Sequence, residues 1–266
     1  MYIYVNEVKK EINKGDKVSH IVERVKPLAD IYIVNGYPVD KEFVLKDKDR
    51  LVLIQKGVMP KEDELEAVMQ GRHTPEVYYK LKSKRVLLIG LGGLGSVIAI
   101  ALARMGVGKI IGIDFDIVEP SNLNRQQYFI RHIGMKKVEA MKEIIGNITP
   151  FCEFEGIDTL VTKENIASFM KDADIVIEAV DREEIKAMIV QETLLQSKDL
   201  KIIAASGMAG YFDSNSIITR KINSRLYMCG DGEEAAREGC GLMAPRVGIA
   251  ASHQANLAVR ILLGEN

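Results

Sequence analysis

The stretch RVLLIGLGGLGSVIAIALARMG, beginning at Arg85, constrains the fold more than any other part of the chain. An apolar run of strand length leads into Gly90, Gly92 and Gly95 in G-x-G-x-x-G spacing, and an apolar helix follows. In such a turn the first glycine permits a tight bend, the second lets backbone approach a phosphate, and the third lets helix pack closely on strand. The helix N-terminus then presents N–H groups to an anion. The remainder agrees: KIIGID, DIVIEAVD and KIIAAS read as buried strands between helices over 94–105, near 136–147 and over 183–196, and RVGIAASHQANLAVRILLG reads as a long closing helix. Apolar strands alternating with helices specify an α/β fold, a Rossmann-like, doubly wound and mostly parallel sheet covered on both faces.

Residues 1–57 follow another rhythm. MYIYV and a Gly-Asp turn precede VSHIVERVKPL at helical spacing; ADIYIV, an Asn35-Gly36 turn and RLVLIQ come after. The order strand, strand, helix, strand, strand predicts a small α+β domain. Residues 58–84 are polar, carry two prolines and a short helical stretch, and read as a connector to the 85–266 domain. With 266 residues, 47% of them apolar, the chain can fill two unequal cores.

Several classes are disfavoured. Apolar runs stay short of the roughly 20 residues a membrane span needs, and the N-terminus lacks a signal-peptide layout, which places the protein in the cytoplasm. A net charge of −1 with interspersed signs gives no footprint for nucleic acid or an anionic membrane. Cys152, Cys229 and Cys240 form no C-x-x-C pair, so reduced thiols are expected rather than disulfides or a four-cysteine zinc site.

Asp114 ends the second strand about 20 residues beyond the glycine turn, where a carboxylate holds a ribose hydroxyl. To this point a nicotinamide-dependent dehydrogenase explains every feature. It fails at the next residues, because Asn122, Asn124, Arg125, Gln126 and Gln127 crowd the edge where a dinucleotide's second half needs an apolar slot. Arginine and asparagine suit the oxygens of a triphosphate instead. Lys137 can add a point charge, and Asp181, at the end of DIVIEAVD, can serve a hard divalent cation or cap the helix that follows. The chemistry indicated is nucleotidyl or phosphoryl transfer.

GLGGLGS at 90–96, DFDIVEPSNLNRQ at 114–126, IGMKK at 133–137, Asp181 and GLMAPRVG at 241–248 together resemble the ThiF/MoeB/HesA family, bacterial relatives of ubiquitin-activating enzymes. The resemblance spans nearly all of residues 85–266. It implies ATP-dependent adenylation of the C-terminal carboxylate of a small sulfur-carrier protein. By the same resemblance Gly90, Gly92, Gly93 and Gly95 bound the ATP site, with Asp114 on the ribose beside Asp116. Asn122, Arg125, Gln126 and Lys137 hold and polarise the phosphates, and Asp181 carries Mg2+. An arginine from before the first strand, often from a partner subunit, completes the family site, and Arg72 is the best match here. The resemblance further implies a homodimer and a cysteine-desulfurase-type sulfur donor.

Residues 1–57 look like a ThiS-type β-grasp carrier, with a departure. A working carrier ends in a free Gly-Gly, whereas IQKGVMPKEDE has the single Gly57 and continues. The expectation is a docking or structural domain acting beside a separate Gly-Gly-ended carrier, with processing after Gly57 as the alternative and thiamine thiazole biosynthesis as the favoured pathway. The paired C-x-x-C motifs of zinc-bearing members are missing. Arg237 stands where some members place a sulfur-transfer cysteine, which leaves Cys240 and Cys229 as alternative thiols. Two rival readings stay open: a dehydratase of a modified tRNA nucleoside, and a non-catalytic carrier-binding module.

Overall fold

The computed structural model describes residues 1–74 and 76–265. The chain divides into two compact units, Met1–Tyr79 and a second beginning at Lys80.

In the first unit, β1 (Tyr2–Val5) and β2 (Val8–Glu11) form a hairpin and α1 (Val18–Val25) follows. Next come β3 (Ile31–Val34), β4 (Tyr37–Pro38) and β5 (Arg50–Ile54). The strand order is β2-β1-β5-β3-β4, with β1 and β5 parallel at the centre and the other pairs antiparallel, the β-grasp arrangement. Val18, Ile21 and Val22 stand three and four residues apart, so one face of α1 closes over Ile3, Val5, Leu51 and Leu53. The short β4 is the strand the residue pattern did not separate from the Asn35-Gly36 turn.

The segment after β5 does not run free. Val58 N–H donates to the Gln55 carbonyl at 3.3 Å across a turn with Gly57 at φ +73°. Helix α2 (Glu62–Met69) is then tied to the grasp through Glu64, which accepts from Lys26 Nζ at 2.7 Å and from Asn6 Nδ2 at 3.2 Å. The unit boundary falls within α3 (Val77–Lys82).

The second unit contains β6 (Arg85–Ile89), α4 (Gly93–Arg104), β7 (Lys109–Ile113), α5 (Lys137–Ile148), β8 (Glu153–Ile157) and α6 (Ile166–Met170). It continues with β9 (Ile175–Glu178), α7 (Glu183–Gln196), β10 (Lys201–Ala205), β11 (Ile218–Lys221), β12 (Leu226–Gly230) and α8 (Ala244–Leu263). The sheet order is β11-β12-β10-β9-β6-β7-β8, all parallel except β11. From β6 the chain winds outward through β7 and β8, then returns to the other side of β6 as β9, so the topological switch lies between β6 and β9. Helices on both faces explain why Val86, Leu87, Leu88 and Ile89 are all buried with no alternation, each side chain contributing about 1.5–3 kcal/mol by leaving water. Alanines Ala99, Ala103, Ala250 and Ala251 let α4 and α8 pack closely. Among the described residues no helix is long and apolar enough to cross a membrane.

Candidate active site

A cavity of about 590 Å³ opens at the carboxyl ends of β6, β7, β9 and β10, astride the switch point. Its floor is the glycine turn. Gly90 adopts φ +94°, and a Cβ there would meet the Ala179 carbonyl at 2.6 Å. A Cβ on Gly95 would fall 1.8 Å from the Gly90 carbonyl, so Gly95 serves the packing of α4 on the turn, while Gly90, Gly92 and Gly93 line the cavity. The first-turn amides of α4 have no intrahelical acceptors, and no acidic side chain occupies that turn.

Asp114 follows β7 and is fixed by two amides: Leu91 N–H donates to Oδ2 at 2.7 Å and Asp116 N–H to Oδ1 at 2.9 Å. Burial pushes its carboxyl above the ordinary value, against the pull of Lys137 and the two amides. Lys137 opens α5 and is itself buried, with Nζ donating to Asp116 Oδ2 at 2.7 Å and lying 3.9 Å from Asp114 Oδ1. A single short bond leaves the ammonium with protons to offer an anion. The buried Tyr128 hydroxyl donates to the Leu91 carbonyl at 2.8 Å and braces the turn from behind.

The polar run after Asp114 splits in two. Arg125 and Gln126 line the cavity. Arg125 uses Nη1 for both of its bonds, to Asn124 Oδ1 at 2.8 Å and the Ser121 carbonyl at 3.2 Å, so the Nη2 edge of the guanidinium stays available. Gln126 is buried, and its Oε1 has no partner among the described residues. Asn122, expected on the phosphates, is not among the lining residues. Its Oδ1 accepts from Glu119 N–H at 3.1 Å and closes the short 3-10 turn Pro120–Asn122, and its carbonyl accepts from Arg125 and Gln126. It shapes the loop instead of touching the cavity.

Asp181 is exposed and lines the cavity from the loop between β9 and α7. The helix cap is Arg182, which makes no side-chain capping bond, so Asp181 has no capping role. Among the described residues no three His, Cys, Asp or Glu side chains are grouped for a protein-only metal site. The single carboxylate that Asp181 puts on the cavity wall fits Mg2+ carried on a nucleotide, which takes one or two carboxylates and completes its shell with phosphate oxygens and water. Arg72 belongs to the first unit and is exposed.

Two parts of the wall were not singled out in the sequence. Glu234, Ala235 and Ala236 contribute from the segment before α8, next to Leu242 of the GLMAPRVG stretch. That segment is pinned by Asp231, which accepts from the amides of Glu233 at 2.8 Å and Glu234 at 3.0 Å and pairs with the buried Arg246 of α8. Lys186 lines the cavity from α7. The clue in the chain was Glu178, a charge inside an apolar strand, which demands a buried partner.

The thiols stand apart. Cys229 is fully buried in β12, and burial pushes its thiol up to about 11 despite the Thr219 hydroxyl; Cys152 is likewise pushed up to about 12. Cys240 is buried in a turn whose amide exchanges bonds with Arg237, and it is not among the lining residues.

Comparison with known proteins accords with this geometry. The ThiF family model matches residues 67–266, and the model for ThiS-like ubiquitin matches residues 1–57. A molybdopterin-synthase adenylyltransferase from Haemophilus influenzae is 32% identical over 197 residues, covering 70% of this chain and 79% of that protein. A tRNA threonylcarbamoyladenosine dehydratase from Bacillus subtilis is 37% identical over 135 residues, about half of each chain. Among solved structures, the Escherichia coli tRNA N6-threonylcarbamoyladenosine dehydratase in complex with AMP superposes with a TM-score of 0.68 at 23% identity, over 79% of this chain and 99% of that one. The chain belongs to the ThiF family.

Proposed function

We propose that this member of the ThiF family uses ATP to adenylate the C-terminal carboxylate of a separate, small ubiquitin-like sulfur carrier ending in Gly-Gly. The observation that carries the reading is the cavity at the switch point, where Lys137, Arg125 and the first-turn amides of α4 face a carboxylate fixed for a ribose. In the reaction a carrier carboxylate oxygen bonds to the α-phosphorus of ATP, the bond to the β-phosphate oxygen breaks, and pyrophosphate leaves. A carboxylate is already a nucleophile, so no general base is needed. Asp114 accepts from the ribose, the α4 amides and Lys137 hold the phosphates, and the open edge of Arg125 stabilises charge developing at phosphorus. Gln126 Oε1 supplies an acceptor for the nucleotide. Mg2+, held by Asp181, would neutralise phosphate charge when bound.

The β-grasp unit supports a carrier of the same fold as the substrate, and thiamine thiazole formation is the pathway we favour. In the intact chain that unit has no terminal carboxylate to offer, since Gly57 sits in a turn and the chain runs on into α2, so only cleavage after Gly57 would make it a substrate. The dehydratase relatives favour a second reading, activation of a modified tRNA nucleoside. ATP–pyrophosphate exchange separates the two. Exchange that depends on a Gly-Gly-ended carrier, and is lost when its final glycine is deleted, is the expected result. Pyrophosphate or AMP release that depends on tRNA would move the chain to the second reading.

A further inference from the structure

We infer that the buried Glu178–Lys186 pair is a positioning device for Asp181, an inference that rests on the nucleotide site proposed above. Glu178 is the last residue of β9 and is fully buried, a placement that is costly for a carboxylate without compensation. Compensation comes from Lys186, whose Nζ donates to Glu178 Oε1 and Oε2, each at 2.7 Å, and to the Val180 carbonyl at 3.2 Å. These three bonds use all three protons of the ammonium. Lys186 therefore borders the cavity with no proton left for a phosphate, in contrast to Lys137 with its single short bond. It acts on the site through the loop.

The loop geometry shows how. Glu178 Oε1 also accepts from Val180 N–H at 2.7 Å, so the residue before Asp181 is gripped at its amide and at its carbonyl by the two members of one ion pair. Glu178 Oε2 reaches the Ala205 amide of β10 at 3.4 Å, which anchors the pair to the neighbouring strand. On the other side the loop is seated on the glycine turn, where only a missing side chain at Gly90 lets the Ala179 carbonyl approach. Ala179 and Val180 are thus fixed from both faces, and Asp181 projects from a rigid peptide. A carboxylate meant to meet a nucleotide-borne cation needs that rigidity, because supporting interactions behind a metal-facing group are worth roughly 10–100-fold in metal affinity.

The test uses the full chain with Lys186→Met, Lys186→Arg and Asp181→Asn. Calorimetry would compare ATP binding in EDTA with ATP binding in excess Mg2+, and thermal unfolding would report folding. Lys186→Met should bind metal-free ATP within about twofold of the parent but lose about tenfold of the advantage that Mg2+ confers. Lys186→Arg, which keeps the charge against Glu178, should recover most of that loss. If Lys186→Met does not fold, the double change Glu178→Gln with Lys186→Met removes the pair and the bond to the Val180 carbonyl without leaving a buried charge, and the same loss is expected. A folded variant that keeps the full Mg2+ advantage while Asp181→Asn loses it would overturn the positioning role alone. Retention of the advantage by Asp181→Asn itself would overturn both the positioning role and the assignment of Asp181 on which it rests.

Discussion

The two units handle charge in opposite ways. The first encloses a cavity of about 150 Å³, too small for a nucleotide, and the charges on its wall pair with one another: Glu7 takes Arg50 and also accepts from the Tyr79 hydroxyl at 2.5 Å, while Tyr78 donates to Glu66. Both walls carry neutral groups without a partner among the described residues, Gln70 Oε1 and His73 Nδ1 in the first and Gln126 Oε1 in the second, but only the second, which encloses about 590 Å³, keeps cations in reserve, on Arg125 and Lys137. What separates the two cavities is charge that the fold positions and does not consume. The first unit has the fold of a carrier without its free tail; the second has the fold of a nucleotide enzyme together with the working groups.

The comparison breaks most visibly at its arginines. Arg125→Ala should lower carrier-dependent pyrophosphate exchange by roughly 100–1,000-fold with little change in thermal stability, as expected for loss of one preorganised charge-stabilising donor. Arg50→Ala should leave the rate within about twofold and lower the melting temperature, since it removes the cation paired with Glu7 and leaves that carboxylate the Tyr79 hydroxyl alone among the described residues. Equal catalytic losses at the two positions would erase the distinction between the units.

Glycines sharpen it next. Gly90→Ala combines a left-handed φ with a 2.6 Å approach to a carbonyl, and denaturant unfolding should show a loss of about 3 kcal/mol or more. Gly57→Ala has a left-handed φ of +73° but open space around it, so about 1 kcal/mol is expected. A Gly57 variant as damaging as the Gly90 variant would mean that the turn after β5 is a packed feature and not merely the end of a disabled tail.

The smallest effect is in acid. Desolvation pushes Asp231 up, but the Glu234 and Glu233 amides and Arg246 outweigh it and hold the carboxyl below its ordinary value. With a folded value below the unfolded one, its stabilisation is present above about pH 3.9 and is lost as pH falls through the folded value. Asp231→Asn should therefore flatten the acid limb of the melting curve. Glu64 in the first unit is held low by Lys26 with the same sign, and Glu64→Gln should flatten that limb less, because this pair is the more exposed.

Much of this was legible in the chain, for identifiable reasons. Parallel strands buried on both faces announce themselves as uninterrupted apolar runs, so β6, β7, β9 and β10 stand out, with α4, α5 and α7 between them, while the five-residue α6 does not. β11 did not, because ITRK is a largely exposed edge strand with no apolar face to read. The tight glycine turn at Gly90 and the close packing at Gly95 were readable from spacing alone. Side-chain direction was not: Asn122 and Arg125 lie three residues apart in one polar run, yet one caps a turn and the other lines the cavity. Glu178 and Lys186 meet only once β9 and α7 have packed, a contact that no local pattern encodes.

The central claim is that the second unit activates a carboxylate the first unit does not possess. Its most direct test is to incubate the intact chain with MgATP and a Gly-Gly-ended carrier, trap acyl adenylate with hydroxylamine, and locate the hydroxamate by mass spectrometry. The account predicts hydroxamate at the carrier's terminal glycine and none on the chain itself, with or without carrier. Hydroxamate on the chain, or a carrier left unmodified while tRNA drives AMP release, would contradict it.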